Sequence, residues 1–128
     1  MSQVDYPRLN VLVVEDQDMV REIVTAILRA LGCATVRGAA DGPTALQMVR
    51  EERPDLILCD ISMQPLDGFQ VVEALHKAGE RIPTIYLTAH STADFVKRAQ
   101  QLGVDAYIVK PVKRAILEER IRHVLAPG

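Results

Sequence analysis

Four stretches of this chain end an apolar run on a side chain that can do chemistry. "VLVVED" closes on Glu15 and Asp16, "LILCD" on Asp60, "IYLT" on Thr88 and "AYIVK" on Lys110. A charge at the end of a buried run is expensive, so each acid either caps its run or serves a site. Gathered together, three carboxylates, an ammonium and a hydroxyl have a definite use. Crowded carboxylates repel one another, and a hard divalent cation that keeps some of its water relieves them. Mg²⁺ or Mn²⁺ would take Asp16 and Asp60 directly and Glu15 through water. The backbone carbonyl of Ser62 lies where the loop after Asp60 could curl back to the same ion. One oxygen of Asp60 then stays free to attack an electrophile. Lys110 and Thr88, with the metal, would hold three oxygens of a phosphoryl group. The implied step is attack by Asp60 on phosphorus, giving an aspartyl phosphate.

Such a site exists only if the elements bring its parts together. "LNVLVV" (9–14) reads as a buried strand, followed by a helix whose stripe is Met19, Val20, Ile23, Val24, Ile27, Leu28 and Leu31, stopped by Gly32. "ATVRGA" is a shorter, more polar strand suited to an edge. "DGPTALQMVREER" starts a second helix near Pro43, with Ala45, Leu46 and Val49 facing inward. "DLILCD" is the third strand and "GFQVVEALHKAG" the third helix; "PTIYLTA" (83–89), "TADFVKRAQQLG" and "VDAYIVK" (104–110) continue the alternation. The last helix presents Val112, Ile116, Leu117, Ile121, Val124 and Leu125 on one face. Alternating strands and helices with short connections predict a doubly wound α/β domain: a five-stranded parallel sheet with five helices on two faces. The polar second strand belongs at an edge, which favours the order 2-1-3-4-5. The crevice at the carboxyl ends of the strands is then the binding edge, and all the reactive side chains named above fall there.

Composition narrows the partners. The 128 residues suit a single domain with a core over about 9–126 and no output domain. A net charge of −2 gives no field for nucleic acid or an acidic membrane. No apolar run approaches the roughly 20 residues of a spanning helix, and "MSQVDYPRLN" lacks a signal-peptide layout. Cys33 and Cys59 match no metal spacing and read as buried thiols, so a cytoplasmic location is expected. His76 and His123 fall on helix faces, and Arg98, Lys113, Arg114, Arg120 and Arg122 read as a solvated face because Glu118 and Glu119 interrupt them. Lys110 precedes Pro111, a junction that favours extended backbone and permits a cis peptide.

With these residues in order, the chain resembles the receiver domains of response regulators in two-component signalling. The match rests on "VVEDQ", "LILCDISM", "LDG" at 66–68, "LTA" at Thr88 and "KP" at 110–111. It covers essentially the whole length, in the stand-alone manner of chemotaxis regulators, with the flavodoxin-like fold. The resemblance implies transfer to Asp60 from a sensor histidine kinase or a histidine phosphotransfer protein, with Mg²⁺ required. It implies slow self-hydrolysis and no enzymatic action on other substrates. It further implies a switch in which Thr88 moves inward and Tyr107 turns into the vacated space. The face of the fourth helix, fifth strand and fifth helix then changes shape and meets an unknown downstream protein. Ser62 and His90 occupy the positions that tune hydrolysis in the family. Where many receivers have methionine followed at once by proline, here Gln64 stands between Met63 and Pro65. A monomer or weak dimer is expected.

Other functions remain in view. The domain could act as a phosphate sink or relay intermediate. A small Mg²⁺-dependent aspartyl-phosphate hydrolase would use a similar nucleophile, but it usually wants an acid two residues further on, where this chain has Ser62. A flavin mononucleotide carrier would share the sheet order, but the acidic "EDQD" after the first strand would repel its phosphate.

Overall fold

Strands that are apolar at every position need cover on both faces, and the computed structural model, which describes residues 4–89, 93–102 and 105–125, shows how they get it. A 3₁₀ turn, Tyr6–Arg8, precedes ten regular elements: β1 (Asn10–Val14), α1 (Asp18–Leu31), β2 (Thr35–Ala39), α2 (Gly42–Glu51), β3 (Leu56–Asp60), α3 (Gly68–Lys77), β4 (Thr84–Thr88), α4 (Ala93–Leu102), β5 (Ala106–Val109) and α5 (Arg114–Leu125). All five strands are parallel in the order β2-β1-β3-β4-β5. The expected α/β architecture and strand order are those observed.

Alternate residues of each strand feed two separate cores. Val11, Val13, Leu56, Leu58, Ile85, Leu87 and Ile108 pack against Val24 and Leu28 of α1 and Leu117 and Ile121 of α5. Leu12, Val14, Ile57, Cys59 and Tyr86 face the other way, onto Ala45 and Val49 of α2, Phe69, Val72 and Leu75 of α3, and Ala99 of α4. Cys59 thus lies in the core, its neighbour Asp60 at the strand end. The central strands β3 and β4 are buried at all five positions, whereas β2 is exposed or half-exposed at four of five, as its polarity and edge position require.

Local chemistry sets the ends of the helices. Gly32 takes φ 113° and closes α1, with its N–H on Arg29 O and the Cys33 N–H on Leu28 O, both at 3.0 Å. Asp41 caps α2 by accepting from the Thr44 N–H at 2.8 Å. Asp67 and Gln70 form a reciprocal capping box at the start of α3.

Two apolar stripes are narrower than the sequence suggests. On α1, Val24 and Leu28 are buried, while Met19 is 73% and Ile23 49% exposed. At about 100° per residue, these two lie roughly 120–160° round from the midline of Val24 and Leu28. On α5, Leu117 and Ile121 reach the core and Ile116 stays 38% exposed. The fifth strand runs over Ala106–Val109, and Val104 of its expected span lies outside the described residues, as do Thr92 and Gly103 of the expected fourth helix. Among the described residues no helix is long and apolar enough to cross a membrane.

Candidate functional site

Because β1, β3 and β4 are neighbours in register, their carboxyl ends stop at nearly the same height. Val14 pairs with Cys59, and Asp60 pairs with Leu87, so Glu15 stands level with Asp60 on one side and Thr88 lies one residue past it on the other. Beyond β4, the Lys110 N–H donates to Thr88 O at 2.7 Å, which brings the end of β5 to the same edge. Glu15, Asp16 and Asp60 each offer a carboxylate oxygen within 4.8 Å of the others. Glu15 and Asp60 are buried and Asp16 is exposed, so the cluster opens to solvent on the Asp16 side.

One ammonium serves two of the three acids. Lys110 Nζ lies 2.8 Å from Glu15 Oε1 and 3.2 Å from Asp60 Oδ1. The second Glu15 oxygen accepts the Gln17 N–H at 3.1 Å. Burial pushes the Glu15 carboxyl above the usual range; the Lys110 and Gln17 hydrogen bonds oppose this, while Asp16 and Asp60 add to it. For Lys110, burial favours the neutral amine, but the hydrogen bond to Glu15 and the charges of Asp60 and Glu15 outweigh it and raise the pKa. The Glu15–Lys110 pair was not legible from sequence, since 95 positions separate the two residues.

The donor set suits a hard divalent cation such as Mg²⁺: three carboxylates, one of them open to water, in a cluster of the right size. Glu15 is already engaged by Lys110 and by a backbone N–H, which leaves Asp16 and Asp60 as the freer direct donors.

The loop after Asp60 doubles back. The Met63 N–H and the Gly68 N–H both reach Ile61 O, at 3.1 and 2.9 Å, so Ser62 sits at the tip of a γ-turn with its side chain exposed. Gly68 presses against Asp60 itself: a Cβ there would stand 2.6 Å from Asp60 O. The Gln64–Pro65 and Lys110–Pro111 peptides are both cis.

Thr88 is buried, and Tyr107 is half-buried on the same sheet face, packed against the core of α2, α3 and α4. Tyr107 pairs in register with Tyr86 of β4, which in turn pairs with Cys59. His90 lies outside the described residues. Two arginines read as solvated have partners. Arg98 stacks over Phe69 at 4.5 Å, with a guanidinium nitrogen 3.9 Å from Asp67, and Arg120 Nε donates to Tyr107 O at 3.3 Å. Helical spacing placed both on outward faces but could not show which neighbouring element each would meet. Sequence reasoning also passed over Tyr86, which is fully buried edge-on to Phe69 at 4.9 Å between centroids.

Comparison with known proteins places the chain in a family. Residues 11–122 match the model of the response regulator receiver domain. Over 119 residues the chain is 37% identical to the transcriptional regulatory protein AfsQ1 of Streptomyces coelicolor, covering 93% of this chain and 52% of that protein. It is 33% identical over 119 residues to the chemotaxis protein CheY of Pseudomonas aeruginosa, covering 91% of this chain and 95% of that one. Among solved structures, one chain of a CheX–CheY–BeF3–Mg²⁺ complex from Borrelia burgdorferi superposes with a TM-score of 0.87 at 26% identity, covering 93% of this chain and 90% of that chain. The chain spans about half the length of several of the curated relatives it matches, 52% and 47% in two cases. An acidic cluster at the carboxyl edge of a 2-1-3-4-5 sheet, a lysine at the end of β5 and a family match across nearly the whole chain lead to one conclusion: this protein belongs to the response regulator receiver domains of two-component signalling.

Proposed function

We propose that this receiver is a phosphorylation-dependent switch whose acceptor is Asp60. The observation that carries the reading is the position of Lys110 Nζ, 2.8 Å from Glu15 and 3.2 Å from Asp60, beside carboxylates gathered within 4.8 Å. The donor is a phosphohistidine of a sensor kinase or of a histidine phosphotransfer protein. An Asp60 oxygen forms the new bond to phosphorus, the phosphorus–nitrogen bond breaks, and the imidazole leaves with its electron pair. Asp16, Asp60 and the Ser62 carbonyl would hold Mg²⁺, with Glu15 acting through water. The ion, when bound, neutralises charge on the phosphoryl oxygens. Lys110 sets a fixed positive charge against a second oxygen, and Thr88 donates its hydroxyl to a third.

The signal leaves through protein contact. Thr88 drawn toward the acceptor opens space for the Tyr107 ring, and the surface of α4, β5 and α5 is reshaped. Val109 and Ile116 support this choice of face, being 43% and 38% exposed where a partner would cover them. Ser62 and His90 tune the lifetime of the adduct. Two buried free thiols suit a reducing cytoplasmic setting.

Incubation with acetyl phosphate and Mg²⁺, followed by intact mass measurement, tests the acceptor. Wild type should gain one acid-stable, base-labile phosphoryl group, and Asp60→Asn should gain none. Equal labelling of the two proteins would remove Asp60 from the role.

A further inference from the structure

Arg21, in the first turn of α1, reaches back over the turn that carries both acids of β1. Its Nη1 donates to the backbone carbonyl of Glu15 at 2.8 Å, and its Nη2 to the Asp18 carboxylate at 2.6 Å. The turn is tied at further points: the Glu15 N–H meets Ala39 O at 3.0 Å, and the Arg21 N–H meets Gln17 O at 3.0 Å. The stem of Arg21 lies against the edge strand at Gly38. A Cβ on that glycine would come within 3.1 Å of Arg21 Cδ, 3.4 Å of Nε and 3.6 Å of Cγ. The missing side chain on β2 therefore lets the guanidinium lie down over the β1–α1 turn, with the side chain only 23% exposed.

We propose that Arg21 is a positioning residue for the divalent-cation site, and this rests on the reading of Asp16 and Asp60 as its ligands. One planar fork grips the carbonyl just before Asp16 and the side chain two residues after it, so it determines where the Asp16 carboxylate stands. Supporting contacts of this kind matter to a metal nearly as much as the ligands do.

Charge and position predict opposite signs. Arg21 brings a positive charge toward an acidic cluster, so if its charge alone counted, deleting it would tighten a divalent cation. If it acts by holding the turn, deletion weakens the cation.

The test is Mg²⁺ affinity by calorimetry on the intact protein, well below the melting temperature of each variant. Arg21→Met should raise the Mg²⁺ dissociation constant about 10-fold. Arg21→Lys keeps the charge but not the fork, so it should not restore wild-type affinity. Gly38→Val leaves every charge in place and improves strand propensity, yet should weaken Mg²⁺ by displacing the stem. In labelling with acetyl phosphate, the half-saturating Mg²⁺ should rise in these variants while the rate at saturating Mg²⁺ falls less than about twofold. Equal or tighter Mg²⁺ binding by Arg21→Met, or full affinity in Arg21→Lys, overturns the proposal. Should Arg21→Met fail to fold, Gly38→Val decides, and unchanged affinity there overturns it. A wild type that binds no Mg²⁺ defeats the underlying reading of the site. A wild type that binds Mg²⁺ beside an Arg21→Met that binds it equally well defeats only the role of Arg21.

Discussion

Lys110 Nζ stands 2.8 Å from Glu15 Oε1, on a carboxylate wholly excluded from solvent. The two partners are not equally dependent on each other. Lys110 has a second acid, Asp60, at 3.2 Å, whereas Glu15 relies on Lys110 and one backbone N–H. In Mg²⁺-free buffer at pH 7, Lys110→Met should therefore cost about 3 kcal/mol by leaving a buried charge without its ammonium. Glu15→Gln should cost less than about 1 kcal/mol, because it removes a charge that burial already opposes. Urea unfolding of both variants checks this, and equal losses would contradict the asymmetry.

Gly68 leaves no room for a side chain against Asp60. Its Cβ would meet Asp60 O at 2.6 Å and Ile61 Cα at 3.0 Å, both of them backbone atoms that cannot swing away. Gly68→Ala should lose about 2 kcal/mol of stability and slow labelling by acetyl phosphate, despite being a better helix former. A stable variant labelled at the wild-type rate would show that the loop yields.

Tyr86 carries a hydroxyl that is buried and has no hydrogen-bond partner among the described residues. Burial, the first cause, and the nearby Cys59 and Asp67 push its phenol well above the ordinary range. Deleting an unsatisfied group recovers its desolvation cost, so Tyr86→Phe should be neutral or stabilising by about 1 kcal/mol. A loss of more than about 1 kcal/mol in thermal or urea unfolding would reveal a partner for that hydroxyl.

His76 Nδ1 faces Arg81 Nη1 at 3.2 Å, which requires the ring nitrogen to accept. Partial burial, then the Arg81 charge, lower the His76 pKa, with Asp105 opposing. A histidine whose folded pKa lies below its unfolded value near 6.5 binds fewer protons when folded. Stability is then undiminished above about pH 6.5 and declines as pH falls from there through the lowered folded pKa. His76→Gln should flatten that part of the pH–stability curve. An unchanged slope would place the titration elsewhere.

The two free thiols should be silent in the folded protein. Cys59 has no exposed surface and Cys33 is 4% exposed, and burial raises both pKa values. A thiol reagent at pH 8 should react at least about 100-fold more slowly with native than with urea-unfolded protein.

The sequence by itself determined the layer plan and the edge of the sheet where chemistry collects. Runs such as "VLVV" and "LILC" can only be covered on both faces, and a parallel sheet of such strands must gather Glu15, Asp16, Asp60, Thr88 and Lys110 at one end. Tertiary structure alone decided which acid the lysine prefers, how the loop through Ser62 and Pro65 turns, and what Arg21, Arg98 and Arg120 touch. It also decided that Met19 and Ile23 remain in solvent although they keep helical spacing with the core. The division has a physical cause. Periodicity records which side of one element is apolar, a local property. Pairings across 95 positions and the reach of a long flexible side chain depend on distances between elements, which no single stretch of sequence contains.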